Sequence, residues 1–97
     1  MSQPATEEQM VNDLFYWLTV EAGEAAYPFF SSPRESLINY HHTLGQSIRN
    51  QYRLWEREWE PDLRDDVDYS PDHPDAVSQR VIEKTWEKIQ VWQKLRN

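Results

Sequence analysis

The stretch Leu44-Gly45-Gln46-Ser47-Ile48-Arg49-Asn50-Gln51-Tyr52-Arg53-Leu54-Trp55 decides how this chain folds. Leu44, Ile48, Tyr52 and Trp55 recur every three or four residues, which is the spacing of one apolar helix face. The series reaches upstream to Leu37 and His41 and downstream to Trp59. Its start is marked by Ser32-Pro33-Arg34-Glu35: Ser32 suits an N-cap, Pro33 the first helical position, and Glu35 completes a capping box. One bent or broken helical unit is therefore expected from Pro33 to about Trp59. Gly45 interrupts it at a cost of about 0.8–1 kcal/mol relative to alanine. Either another helix approaches closely there, or the glycine separates a short helix from a longer one.

Two further helices flank this unit. Thr6-Glu7-Glu8-Gln9 fits a capping box with acids in the first turn. Met10, Leu14, Trp17 and Leu18 then share a face, and Gly23 is a candidate stop. Tyr27-Pro28-Phe29-Phe30 reads as an aromatic connector that plugs one end of the core, Pro28 biasing Tyr27 away from helix. The last helix begins near His73-Pro74-Asp75, with Pro74 at or near its first position or Asp75 as the N-cap. Ile82, Trp86 and Ile89 continue its apolar face, while Lys94 and Arg96 suit the dipole at its C-terminal end. The expected class is all-α: a compact bundle of three to four helices in a single domain spanning 1–97, with an acidic, Pro-containing loop before the last helix.

Composition explains how so polar a chain can have a core. Only 38% of its 97 residues are hydrophobic, and five Trp, five Tyr and three Phe supply much of that area. Aromatic rings bury large surfaces per residue, which compensates for a mean hydropathy of −0.92. The absence of cysteine excludes disulfides, a thiol nucleophile and a thiolate metal site. The N-terminus lacks the basic start and apolar run of a signal peptide, and no segment approaches the ~20 apolar residues needed to cross a bilayer. A soluble, cytoplasmic protein is expected, without membrane association.

The net charge of −7 is concentrated in one segment. Glu56 to Asp75 holds nine acids against two bases, Arg57 and Arg64, and therefore carries the whole excess. Pro61, Pro71 and Pro74 lie in the same segment. Such a stretch repels phosphate and anionic membranes and attracts a basic surface. Direct nucleic-acid binding is disfavoured, because phosphate neutralisation dominates that affinity.

Leu44-Gly45-x-x-Ile48-Arg49-Asn50-x-Tyr52-x-Leu54-Trp55, with His42 before it and His73-Pro74-Asp75-x-x-Ser78 after it, resembles a small bacterial and phage family of unknown function. Its members pair a Leu-Gly-x-x-Ile-Arg-Asn…Leu-Trp core with a later His-Pro-Asp-x-x-Ser segment. The resemblance covers roughly residues 37 to 90. This chain departs from the pattern in its unusually acidic connection and in Arg53, where the family often has a small residue. The resemblance implies a compact intracellular module and supplies no activity, cofactor or catalytic residue.

Two sets of residues are candidates for function. The first is a polar cluster of His42, Arg49, Asn50, His73 and Asp75. Read structurally, the Arg49 guanidinium holds the start of the last helix through Asp75, since its planar fork suits a carboxylate, and Asn50 bonds backbone groups. Read functionally, the cluster is a small-ligand or enzymatic site. No metal site is expected: His41 and His42 diverge by about 100° on a helix, and the Asp65-Asp66-x-Asp68 run lacks the glycine of a calcium loop. No serine lies in a nucleophile pattern, no phosphate loop exists, and no cofactor is implied.

The second set is Trp59, Asp62, Asp65, Asp66 and Asp68, read as a partner-binding surface. Trp dominates interface hot spots, and charge steers encounter with a basic protein partner. The expected function is that of a non-enzymatic interaction protein, in an accessory role such as a phage or bacterial factor blocking a host or defence complex. A nucleic-acid mimic occupying a DNA- or RNA-binding channel is the alternative. The surplus of tryptophan is also compatible with a homodimer.

Overall fold

The computed structural model describes residues 4–96. Helix α1 (Glu7–Tyr16) runs on into a π-helical turn, Trp17–Glu21. A 3-10 turn (Gly23–Ala26) and the short α2 (Tyr27–Phe30) follow, then a 3-10 helix over Arg34–Tyr40. Next come α3 (Leu44–Gln51) and a 3-10 turn at Leu54–Glu56. A small hairpin, β1 (Leu63–Arg64) and β2 (Val67–Asp68), precedes the long α4, Pro74–Arg96. The class is all-α, as expected.

Helix α1 starts where the capping box places it. The Gln9 backbone N–H donates to the Thr6 hydroxyl at 3.1 Å, and the Thr6 N–H donates to the Gln9 side chain at 2.7 Å. Gly23, at φ +61°, turns the chain after the π-helical segment, a backbone geometry that costs glycine little. Tyr27 departs from expectation: it is helical despite preceding a proline, with φ −59° and ψ −40°. Phe29 and Phe30 are buried and plug the core, whereas the Tyr27 ring stays exposed.

Two features of the central unit also differ from the sequence reading. Ser32 does not cap a helix: its hydroxyl donates to the Pro28 carbonyl at 2.7 Å and meets the Tyr40 hydroxyl at 3.1 Å. Those nearby partners satisfy the hydroxyl, and the segment after Pro33 winds as 3-10 rather than α. Helical structure also ends before Trp59. Arg53 adopts a left-handed backbone, φ 52° and ψ 46°, and Arg57 is extended. The break in the unit falls at His41–Thr43, ahead of Gly45, which lies inside α3.

Helix α4 is the central rod. Ser78, Val81, Ile82, Thr85 and Ile89 are fully buried along it, at the helical spacing of one stripe. Fully burying an isoleucine contributes about 1.5–3 kcal/mol, so Ile82 and Ile89 are major anchors. Met10 and Val11 from α1, Leu18 from the π-helical turn, Ala26 from the 3-10 turn after it, Phe29 and Phe30 from α2, Leu37, Ile48 and Leu54 complete the core. Glu7 pairs with Arg80 and Lys84, Asn12 accepts from Lys88, and Phe15 meets Trp92. These contacts advance together along both chains, so α1 and α4 run in the same direction. Side chains of α4 also satisfy carbonyls where α2 ends: Trp86 Nε1 donates to Ser32 O and Gln90 Nε2 to Phe30 O, both at 2.9 Å.

Candidate functional site

Arg49 is the residue around which the polar stretch is organised, and Gly45 is what admits it. The Arg49 side chain folds back over Gly45 one turn earlier. A Cβ at position 45 would lie 2.9 Å from Arg49 Nη1 and 3.5 Å from the Tyr40 carbonyl. Neither explanation offered for the glycine from sequence applies: it makes room for a guanidinium of its own helix. Arg49 itself is buried, donating from Nη1 to Ser78 Oγ at 2.9 Å and from Nη2 to the His41 carbonyl at 3.0 Å.

Arg49 and Asp75 do face one another, with Nε 3.6 Å from Oδ1, but the hydrogen-bonded partner on α4 is Ser78. Ser78, fully buried, passes the connection on by donating to the Asp75 carbonyl at 3.1 Å. The Asp75 carboxylate is half-exposed and lies between three positively charged or basic groups: Arg49, His41 Nε2 at 3.8 Å and His73 Nδ1 at 4.0 Å. The N-cap of α4 is His73, not Asp75. Its Nδ1 accepts the Asp75 backbone N–H at 3.1 Å.

The other two members of the sequence-defined cluster lie outside it. Asn50 is exposed on the far side of α3 from buried Arg49, because adjacent helical residues diverge by about 100°. His42 is exposed and meets only the edge of the His41 ring, at 5.1 Å between centroids. His41, on the inner side of the break, takes its place. Ser78 and Gly45 both stand in the sequence motif. Their role depends on the path of the guanidinium, which spacing does not encode.

The acidic segment is an ordered hairpin. Leu63 pairs with Asp68 and Arg64 with Val67, antiparallel, across a two-residue turn. Both turn residues, Asp65 (φ 51°) and Asp66 (φ 66°), are left-handed, the backbone of a type I′ turn. Asp68 holds this hairpin to its base, and is therefore a structural residue. Its carboxylate accepts the Trp59 indole N–H at 2.9 Å, the Asp62 N–H at 3.0 Å and the Ser70 N–H at 2.9 Å. These bonds, with the nearby His73, outweigh a small opposing effect of burial and hold the carboxyl below its ordinary value.

Trp59 is half-buried in this arrangement, and its neighbour Trp55 is exposed. Trp55, Trp59 and His73 meet edge-on, with centroids 5.2–6.2 Å apart, and form the base on which the hairpin stands. Asp62 accepts from the Arg64 guanidinium at 3.2 Å, leaving Asp65 and Asp66 as the carboxylates at the exposed tip. Beside the hairpin, Asp66, Asp68, Tyr69, His73 and Asp75 line an open recess of about 460 Å³. Val67 and Tyr69 in its lining are exposed, as is Leu63 on the other strand of the hairpin.

Two further carboxylates, Glu7 and Asp13, are engaged elsewhere. Burial pushes Glu7 up, but hydrogen bonds and charges from Arg80 and Lys84 outweigh it and leave the carboxyl below its ordinary value. Tyr52 donates to Asp13 at 2.6 Å; burial, that bond and the neighbouring negative charge all raise its pKa. Among the described residues, no group of three or more His, Asp and Glu side chains is disposed to hold a metal ion. No helix among them is long and apolar enough to cross a membrane. These features define an all-α protein with an internally bonded arginine cluster and an exposed acidic hairpin. Comparison of the chain with protein-family models, curated proteins and solved structures gives no match.

Proposed function

We propose that this chain is a non-enzymatic interaction protein whose acidic hairpin captures a basic protein partner. The observation that carries the reading is the recess lined by Asp66, Asp68 and Asp75, with exposed Tyr69 and His73 at its wall. Carboxylates around an aromatic ring suit an arginine or lysine side chain, by charge and by cation–π attraction. Arg64, the cation on the hairpin, is paired with Asp62 and lies over Tyr69 at 5.8 Å, a contact that an incoming cation would share or displace. In the polar cluster, Arg49 is buried and bonded within the fold, to Ser78 and the His41 carbonyl, which fits a structural role there.

An accessory role, in which a bacterial or phage protein of this kind blocks a host or defence complex, fits a small acidic module of this type. The test is affinity capture with the wild-type chain and with a variant carrying Asp65→Asn and Asp66→Asn. Asparagine tolerates the left-handed turn, so the variant removes charge and keeps the hairpin. A basic partner held by wild type, released by added salt and weakened by the variant supports the reading. Equal capture by both chains rejects it.

A further inference from the structure

We infer that the groove between α1 and α3 is a second docking site, for a basic amphipathic helix of a partner protein. One apolar cavity of about 170 Å³ lies between α1 and α3, and a second of the same size adjoins it between the π-helical turn, α2 and the end of the 3-10 helix. They share Trp17 and Leu44: one extends towards Met10 and Tyr52, the other towards Ala22 and Phe29. Met10 on α1 and Ala22 just past its π-helical extension are twelve residues apart, about 18 Å at 1.5 Å per residue. Three turns of helix fit that length, and each cavity accepts one large apolar side chain, the arrangement of helix-in-groove recognition.

Trp17 stands between the cavities with 46% of its surface exposed, and Val20, on the same π-helical turn, is 59% exposed. A tryptophan flanked by two apolar recesses is the composition of an interface anchor.

The charge of the groove selects the occupant. No Lys, Arg or His lines either cavity, and Asp13 is the one charged residue that does. The first 33 residues of the chain contain no Lys, Arg or His at all, while Glu8, Glu21 and Glu24 are exposed along them. Apolar anchors with lysine or arginine on the flanks therefore match this surface, whereas an acidic helix or an anionic membrane is repelled. The inference shares with the proposed function only the premise of a basic partner, and the hairpin and groove use different residues.

The test uses a synthetic helical peptide of about 15 residues, leucine on one face and lysine on the other, long enough to span the groove. Binding is followed by amide shifts in NMR spectra, which separate groove from hairpin. Two variants, Ser47→Arg and Gln51→Arg, place a cation on exposed groove positions, and thermal melts check that each folds. The expected result is saturable binding mapped to α1 and α3, weakened about tenfold or more by either variant, as for loss of an interface hot spot. Asp65→Asn with Asp66→Asn leaves that binding unchanged, which distinguishes failure at the hairpin from failure at the groove. Equal binding of a scrambled peptide of the same composition overturns the inference. So do shifts confined to the hairpin, or a dimer of the chain itself that Gln51→Arg dissociates.

Discussion

Replacing Arg49 with alanine separates the structural role of the polar cluster from every other. The guanidinium makes two charge-assisted hydrogen bonds, to Ser78 Oγ and the His41 carbonyl. Each such bond is worth about 1.5–3 kcal/mol. The lower end applies, because Ser78 keeps its bond to the Asp75 carbonyl and the half-exposed Asp75 carboxylate regains water. The sum is about 3 kcal/mol, out of the roughly 5–15 kcal/mol that holds a domain of this size together. At 4–8 °C per kcal/mol, Tm falls by about 12–24 °C. Urea titration followed by circular dichroism measures the loss, and Ser78→Ala, alone and combined, completes a double-mutant cycle. Ser78→Ala costs about 1.5–2 kcal/mol, with a coupling of about 1–2 kcal/mol between the two sites. A loss below about 1 kcal/mol for Arg49→Ala, or an additive cycle, refutes the view that this arginine joins α3 to α4.

Gly45→Ala gains about 1 kcal/mol of helix propensity but displaces the guanidinium, so we expect a net loss of about 1–2 kcal/mol. In an Arg49→Ala background the same change should turn stabilising, by about 1 kcal/mol, and urea midpoints report the reversal of sign. Arg53 is an exposed left-handed residue, and Arg53→Gly should raise stability by about 0.5–1 kcal/mol in the same assay. Glu7 is held below its ordinary value in the folded chain, so its contribution is present above the unfolded value near 4.3 and lost as pH falls through the folded one. Stability measured across that acid range should therefore fall less steeply in Glu7→Gln than in wild type.

The helical elements were legible because their signals are local. Thr6 and Gln9 cap each other within one turn, Pro74 opens α4, and the spacing of Ile82 and Ile89 fixes the buried stripe. Ser32 misled because a hydroxyl chooses between several nearby acceptors, and here the Pro28 carbonyl won. The early end of the central unit was hidden because a left-handed arginine carries no side-chain signature. The facing of Arg49 and Asp75 was readable from charge and burial. That His41 replaces His42 depends on the break at His41–Thr43, that Ser78 takes the hydrogen bond on the path of the guanidinium, and that Asn50 points outward on the rotation of α3. The hairpin was missed for a similar reason: Asp-Asp lacks the glycine that usually marks a type I′ turn, and its stability comes from Asp68 and the rings beneath it.

Hydrogen exchange on the complex with a captured partner examines the acidic hairpin most directly. Binding there slows exchange of the amides from residues 62 to 70, and the protection fades as salt screens the carboxylates. Protection that leaves those amides unchanged, whatever it does elsewhere on the chain, contradicts the assignment.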